Sequence, residues 1–385
     1  METCSNTVAS VASYLLKALQ NERCLDVHFR SNSGNSYILN KLPNYKLMKQ
    51  VALYSRFGRF YFIFIFASLI VIPIIILLQF IFAVLVSITT KKTVEANPVH
   101  IIAQTNTNFD FIKARYVDEL GCNQVSFVSD ICSLKGLSSR LDVVTLLAAF
   151  AGCVVLYLLI LRGKSGEKMD LLLHCRDAFI LSMLIYYVSK TPQADFVTDC
   201  HYQRWVFLLS NLSDKLSVVQ HGFIDPDINF INSFGAINTL YVYDYSFKKS
   251  FDKYFFVADC KLYKSNLMLM PNQFSLNSVF LASSFPAIDK EIELLDIMKK
   301  QTTAYIMIKL HPRHSYDAKK DKLLSYASYI CRDDEFPECR AFVSYNSFLE
   351  YDYKLCGVST FSIAKNGVNG TAQSLIDLFF AENNK

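Results

Sequence analysis

Residues 278–313 read SVFLASSFPAIDKEIELLDIMKKQTTAYIMIKLHPR. Ser278 to Ser284 is a short apolar run that reads as a strand, and Ile288 to Lys300 reads as a helix. Ala304 to Leu310 (AYIMIKL) is a second strand that runs straight into His311, Pro312 and Arg313. Two strands joined through a helix pair in parallel, so this stretch predicts an α/β fold with a parallel sheet.

The same alternation extends in both directions. Upstream, ADFVTD (194–199) is a strand, Gln203 to Leu212 a helix, and LSVVQH (216–221) a strand ending just before Gly222. LYVYD (240–244) and YFFVAD (254–259) are further aromatic-rich strands. Downstream, AFVSY (341–345) and YKLCG (353–357) read as strands, with a helix opening near Ser359. VHIIA (99–103) and QVSFVS (124–129) are short buried strands flanking a helix over 109–120. The composition changes over residues 260–277, which predicts two Rossmann-like domains. The expected organisation is an N-terminal segment over 1–59, a membrane segment over 60–92, an acceptor domain over 93–265 and a nucleotide domain over 266–385.

Phe60 to Ile88, FYFIFIFASLIVIPIIILLQFIFAVLVSI, carries no charge and exceeds the roughly 20 apolar residues that cross a bilayer. Lys41, Lys46, Lys49, Arg56 and Arg59 precede it, and Lys91 and Lys92 follow. Cytoplasmic flanks favour positive charge. With cations on both sides, the segment either spans the membrane or dips in and returns, bent at Pro73. Val143 to Leu161 is a second uncharged run, closed by Arg162, Lys164 and Lys168. Were both runs to span, the strands between them would lie across the membrane from the other strands, so this run either spans or lies as an embedded or docked helix. Phe179 to Val188 is too short to span and reads as a core helix.

These runs explain a composition that is 52% hydrophobic and only 19% charged, with a mean hydropathy of +0.23. The net charge of +5 suits an anionic membrane surface and is too dispersed for nucleic acid. Eleven cysteines without a C-x-x-C pair or zinc spacing read as free thiols in a reducing compartment. Gly163-Lys164-Ser165 resembles the end of a phosphate-binding loop, but Leu158 stands where that loop requires glycine. The acidic run from Arg332 to Glu335 has no spaced partner for a cation, so no metal site is expected.

Three short pieces end strands, where an open α/β sheet presents its ligand site. The first is Gln220-His221-Gly222, followed by Asp225. The second is Lys309-Leu310-His311-Pro312-Arg313, in which Pro312 stops the strand and frees His311 to face a cleft. The third is Gly357-Val358-Ser359-Thr360: a glycine and two hydroxyls at a helix start would form a phosphate cradle, or an ordinary helix cap. Lys309 reads as a solvated neighbour of His311.

In this order the three pieces resemble bacterial capsule and surface-polysaccharide glycosyltransferases of the GT-B type. Relatives of that group include His-Pro-motif sialyl- and Kdo-transferases and CDP-glycerol glycerophosphotransferases. The resemblance covers about residues 194–375. It implies two Rossmann-like domains, no metal and no cofactor, and inverting transfer from a CMP- or CDP-linked sugar to a lipid-linked glycan. The enzyme would sit on the cytoplasmic face of a bacterial inner membrane. It also implies that His311, Arg313, Ser359 and Thr360 hold donor phosphate, with Gly222, Pro312 and Gly357 shaping the motifs. His221 would be the general base on the acceptor hydroxyl, with Asp225 and Asp199 as second choices. The paired-acid motif of the sialyltransferases proper is missing, and Ser283-Ser284-Phe285-Pro286 stands where many relatives carry Gly-x-Pro. The alternatives are a non-catalytic polysaccharide assembly or export protein and a nucleotide-sugar epimerase of the same fold.

Overall fold

The computed structural model describes residues 7–31, 61–90, 99–102, 112–113, 127–128, 133–163, 171–172, 174–199, 204–220, 227–262, 267–284, 287–311 and 319–380. The chain divides into two compact units, Met1–Tyr263 and Lys264–Lys385. Each is an α/β unit around an all-parallel sheet.

In the first unit the strands are β1 (Val99–Ile102), β2 (Phe127–Val128), β3 (Asp195–Asp199), β4 (Leu216–Val219), β5 (Ala236–Val242) and β6 (Phe256–Leu262). Their order is β2-β1-β3-β4-β5-β6, so the direction of winding reverses between β1 and β3. Helix α1 (Val8–Ser31) comes before the sheet in the chain. Next come α2 (Tyr61–Thr89), α3 (Leu134–Arg140), α4 (Val143–Arg162), α5 (Ala178–Lys190), α6 (Arg204–Leu212) and the short α7 (Lys248–Asp252). One core joins α1, α4, α5, α6 and the sheet, with Val11, Leu15 and Leu19 of α1 buried beside Phe179, Phe207 and Leu216.

The sequence set residues 1–59 apart as a segment of their own, yet α1 is held firmly in this unit. Glu22 is buried, and its Oε1 accepts from Nε of Arg204 at 2.9 Å and lies 2.8 Å from Nη2. Nη1 of Arg204 donates to the His174 carbonyl at 3.1 Å. Asn21 exchanges hydrogen bonds with the Asn232 backbone, donating to its carbonyl at 2.8 Å and accepting from its N–H at 2.9 Å.

Helices α2 and α4 run antiparallel. Tyr157 donates to the Leu69 carbonyl at 2.8 Å, Phe80 stacks on Phe150 at 4.7 Å, and Ser87 donates to the Leu141 carbonyl at 2.7 Å. Asp142 caps α4 by accepting from the Thr145 N–H at 2.7 Å, and Lys190 lies 2.7 Å from its other oxygen. Those contacts hold its carboxyl far below the usual range, the Lys190 hydrogen bond first among them. Helix α5 is buried along most of its length, as a core helix should be.

The second unit carries β7 (Ser278–Ala282), β8 (Tyr305–Lys309), β9 (Tyr329–Cys331), β10 (Ala341–Ser344) and β11 (Ser359–Ser362). Its helices are α8 (Ile288–Gln301), α9 (Lys319–Leu324), α10 (Leu349–Leu355) and α11 (Ile363–Phe380). The order β11-β10-β7-β8-β9 is that of a dinucleotide-binding fold, with the reversal between β7 and β10. Val279, Leu281, Ile306, Ile308 and Val343 face α8 and α11, whereas Phe280, Met307 and Phe342 face Tyr353 of α10. This alternation along strands buried on both faces is what a covered parallel sheet requires.

Two expectations fail in this unit. YKLCG (353–357) is not a strand: Tyr353 to Leu355 finish α10. No helix opens at Ser359 either, because Ser359–Ser362 is strand β11 and α11 starts at Ile363. Gly357 sits at φ +82° as the stop of α10. Its N–H bonds the Lys354 carbonyl at 3.0 Å, and the Val358 N–H reaches back to the Tyr353 carbonyl at 3.1 Å. This pair of bonds closes a helix end, and the conformation favours glycine.

Candidate functional site

Ligands of open α/β sheets bind beyond the carboxyl ends of the strands, at the reversal of strand order. In the second unit the last rung of the sheet, read across the register, is Ser362, Ser344, Ala282, Lys309 and Cys331. Partners at one level of a parallel sheet share a face, so these side chains stand on the same side as Phe342 and Met307.

The loop after β7 is fixed from below. The Ser283 N–H donates to the Lys309 carbonyl at 2.8 Å, its hydroxyl donates to Glu291 at 2.6 Å, and the Ser284 N–H donates to the same carboxylate at 2.8 Å. Glu291 lies in the first turn of α8 and is fully buried. Burial pushes its carboxyl up to about 7 against the pull of the two hydrogen bonds. The Ser284 amide is therefore already committed at the α8 terminus. Across the reversal, Ser362 Oγ donates to the Tyr345 carbonyl at 3.1 Å, and Lys290 lies over the Tyr345 ring at 5.0 Å. Ser344 is fully buried, and its hydroxyl has no hydrogen-bond partner among the described residues.

His311 lies two residues beyond β8, on this carboxyl edge, and is exposed. Lys309 is not the solvated neighbour expected. Its ammonium donates to the Asp333 carbonyl at 2.7 Å and the Glu335 carbonyl at 3.0 Å, and sits 3.6 Å above the Phe336 ring. Burial lowers its affinity for its proton. The turn after β9 is in effect tied down onto the sheet by this one side chain.

Ser359 and Thr360 stand at the other edge. Ser359 is level with Ala341, Val279 and Ile306 along the register. His311 lies five residues further along the strand direction and three strands away. At about 3.3 Å per residue and 4.8 Å per strand the separation is on the order of 20 Å. The structure therefore does not bring Ser359 and Thr360 together with His311, and Gly357 serves as a helix stop. The expected cradle is corrected on both counts: the hydroxyls belong to a strand start, with no helix dipole behind them. Among the described residues, the serine hydroxyls at the strand ends of the carboxyl edge include Ser283, Ser284, Ser344 and Ser362. The sequence signal that finds them is a serine at the last position of a strand or just after it.

In the first unit Asp199 ends β3 at the reversal of strand order and is almost fully buried. Thr198 beside it donates to the Ile102 carbonyl at 2.8 Å, closing the β1–β3 edge. Gln220, also buried, accepts from the Tyr243 N–H at 3.2 Å and locks the ends of β4 and β5 together. His221, Gly222, Asp225, Pro312 and Arg313 lie outside the described residues. Among the described residues no group of three or more His, Cys, Asp or Glu could hold a metal ion.

No model of a known protein family matches the chain, and no curated protein matches it significantly.

Proposed function

We propose that the protein is a membrane-associated glycosyltransferase that moves a sugar or sugar acid from a cytidine-nucleotide donor to a lipid-linked glycan. The observation that carries this reading is the strand order of the second unit, whose reversal point between β7 and β10 gathers Ser283, Ser284, Ser344, Tyr345 and Lys290 at the carboxyl edge. That edge is where a dinucleotide-binding sheet takes a nucleotide, and the step from fold to activity is one of analogy. His311 at the neighbouring strand end supplies an exposed imidazole to the donor phosphate. In the first unit Asp199 ends β3 at the corresponding edge, and Asp199 or His221, which follows Gln220 in the sequence, supplies the base for the acceptor hydroxyl. Displacement of the nucleotide by that hydroxyl, with charge on the departing phosphate met by His311, inverts the anomeric centre and calls for no metal.

Thermal shift of the detergent-solubilised protein with CMP, CDP, UDP and GDP tests the reading. Cytidine nucleotides stabilise the native protein, His311→Ala reduces that stabilisation at least tenfold in apparent affinity, and Ser359→Ala leaves it unchanged. Stabilisation by uridine or guanosine nucleotides alone, or equal loss on Ser359→Ala and His311→Ala, refutes the assignment.

A further inference from the structure

Helix α2 is apolar on every side. Ile72, Ile76, Ala83 and Ser87 are buried against the unit, while Ile70, Ile74, Leu77, Leu78, Ile81 and Leu85 stand 45–68% exposed along the opposite stripe. Helix α4 repeats the pattern, with Gly152, Cys153 and Leu156 turned inward and Val144, Leu147, Val154 and Leu158 outward. A surface helix of a water-bathed domain carries charge on its outer face. Neither outer stripe contains a single charged residue.

The connectivity then decides what these helices can do in a bilayer. Strand β1 lies between α2 and α4 in the chain, and it pairs along its whole length with β3, which follows α4. If α4 crossed the membrane, β1 and β3 would lie on opposite sides. Helix α1 precedes α2, and it meets the elements that follow. Val11 is 3.1 Å from the position of a Cβ on Gly152, Asn21 bonds Asn232, and Glu22 bonds Arg204. If α2 crossed, these contacts would be severed as well.

We infer that α2 and α4 form an antiparallel two-helix raft lying in the plane of one leaflet, outer stripes among the acyl chains, with neither helix crossing the bilayer. A helix whose apolar face sinks a few ångströms below the headgroups needs no far side. In the sequence, cations flank both helices. Arg59, Lys91 and Lys92 bracket α2, and Arg140, Arg162 and Lys164 bracket α4. A second copy laid on the raft in either direction would set cation against cation, whereas anionic headgroups complement both ends. The inference rests on the membrane part of the proposed function and is independent of the reaction.

Modification of native lysines by an impermeant amine reagent, in right-side-out and inside-out membrane vesicles, tests it. Lys17 on α1, Lys135 on α3 and Lys249 on α7 are exposed and report the chain before α2, between α2 and α4, and after α4. All three react from one and the same face. Reaction of Lys17 and Lys135 from opposite faces, or of Lys135 and Lys249 from opposite faces, shows a crossing and overturns the raft while leaving membrane attachment intact. In flotation with vesicles rich in anionic lipid, Leu78→Glu with Leu147→Glu lowers the bound fraction at least tenfold and preserves the circular dichroism spectrum. A protein that never floats, and forms a dimer that these substitutions dissociate, overturns both the raft and the membrane attachment.

Discussion

Replacing Glu291 by Gln should make the second unit more stable at pH 8 and leave it unchanged near pH 4. The carboxyl is buried and its affinity for a proton rises from the ordinary 4.5 to about 7 on folding. The folded state therefore binds that proton more tightly than the unfolded chain. The resulting stabilisation is whole below pH 4.5, drains away between 4.5 and 7, and is gone above 7. A shift of this size corresponds to about 3 kcal/mol. Glutamine mimics the protonated form at every pH. Its carbonyl oxygen accepts from the Ser284 N–H, and its amide donates to the Ser283 hydroxyl, so both contacts survive, the second with donor and acceptor exchanged. The assay is hydrogen exchange of peptides from β7 and α8 in the full-length protein, native and E291Q compared at equal pH. At pH 8 the variant exchanges on the order of a hundredfold more slowly. At pH 4 the two are alike. A variant that exchanges faster at pH 8, or a difference that does not change with pH, would refute the view that Glu291 is held against its charge.

Two further outcomes concern the first unit. A methyl group on Gly235 would lie 2.0 Å from the Ser210 carbonyl oxygen and 2.5 Å from its carbon, so Gly235→Ala must push β5 away from α6. It should cost about 3 kcal/mol or more, read in urea titrations through the fluorescence of the single tryptophan, Trp205, on α6; an unchanged midpoint would contradict the packing. Arg204→Leu should cost about 3–5 kcal/mol because it strands the buried Glu22 carboxylate, and Glu22→Gln in the same chain should restore much of the loss. Strictly additive single and double variants would show that the pair does not interact.

What the sequence discloses here follows from how strongly burial constrains composition. Strands such as IMI in β8 and AFV in β10 are covered on both faces, so they had to be continuous apolar runs, and they stand out as such. Strand β11 is STFS, half-exposed at the sheet edge, and its hydroxyls imitate a helix cap. The glycine before it looks like part of a phosphate loop because a helix stop and an anion loop both ask for φ > 0. Helix α10, EYDYK in its centre, alternates aromatic and charged residues as a strand would, and only the paired bonds around Gly357 reveal the helix. Helix α1 escaped notice because its buried stripe is interrupted by Asn21 and Glu22, polar residues whose partners lie roughly 180 to 210 positions away. Such long-range pairing leaves no local trace. Lys309 is a further case: nothing adjacent in sequence tells that a lysine beside an exposed histidine will be capped by two carbonyls from the next loop.

The position of α1 also bears on how the chain is made. Helix α2 leaves the ribosome as a long uncharged segment well before Arg204 and Asn232, the residues that α1 must bond, have been synthesised. A nascent chain in that state offers the insertion machinery what looks like an ordinary membrane anchor, while the raft inferred above requires that the anchor stay on the near side. Docking of α1 depends on partners distant in sequence and is slow for that reason. In the raft arrangement inferred above, synthesis of this protein is a race between threading α2 through the bilayer and holding it back until Arg204 and Asn232, the partners of α1, arrive.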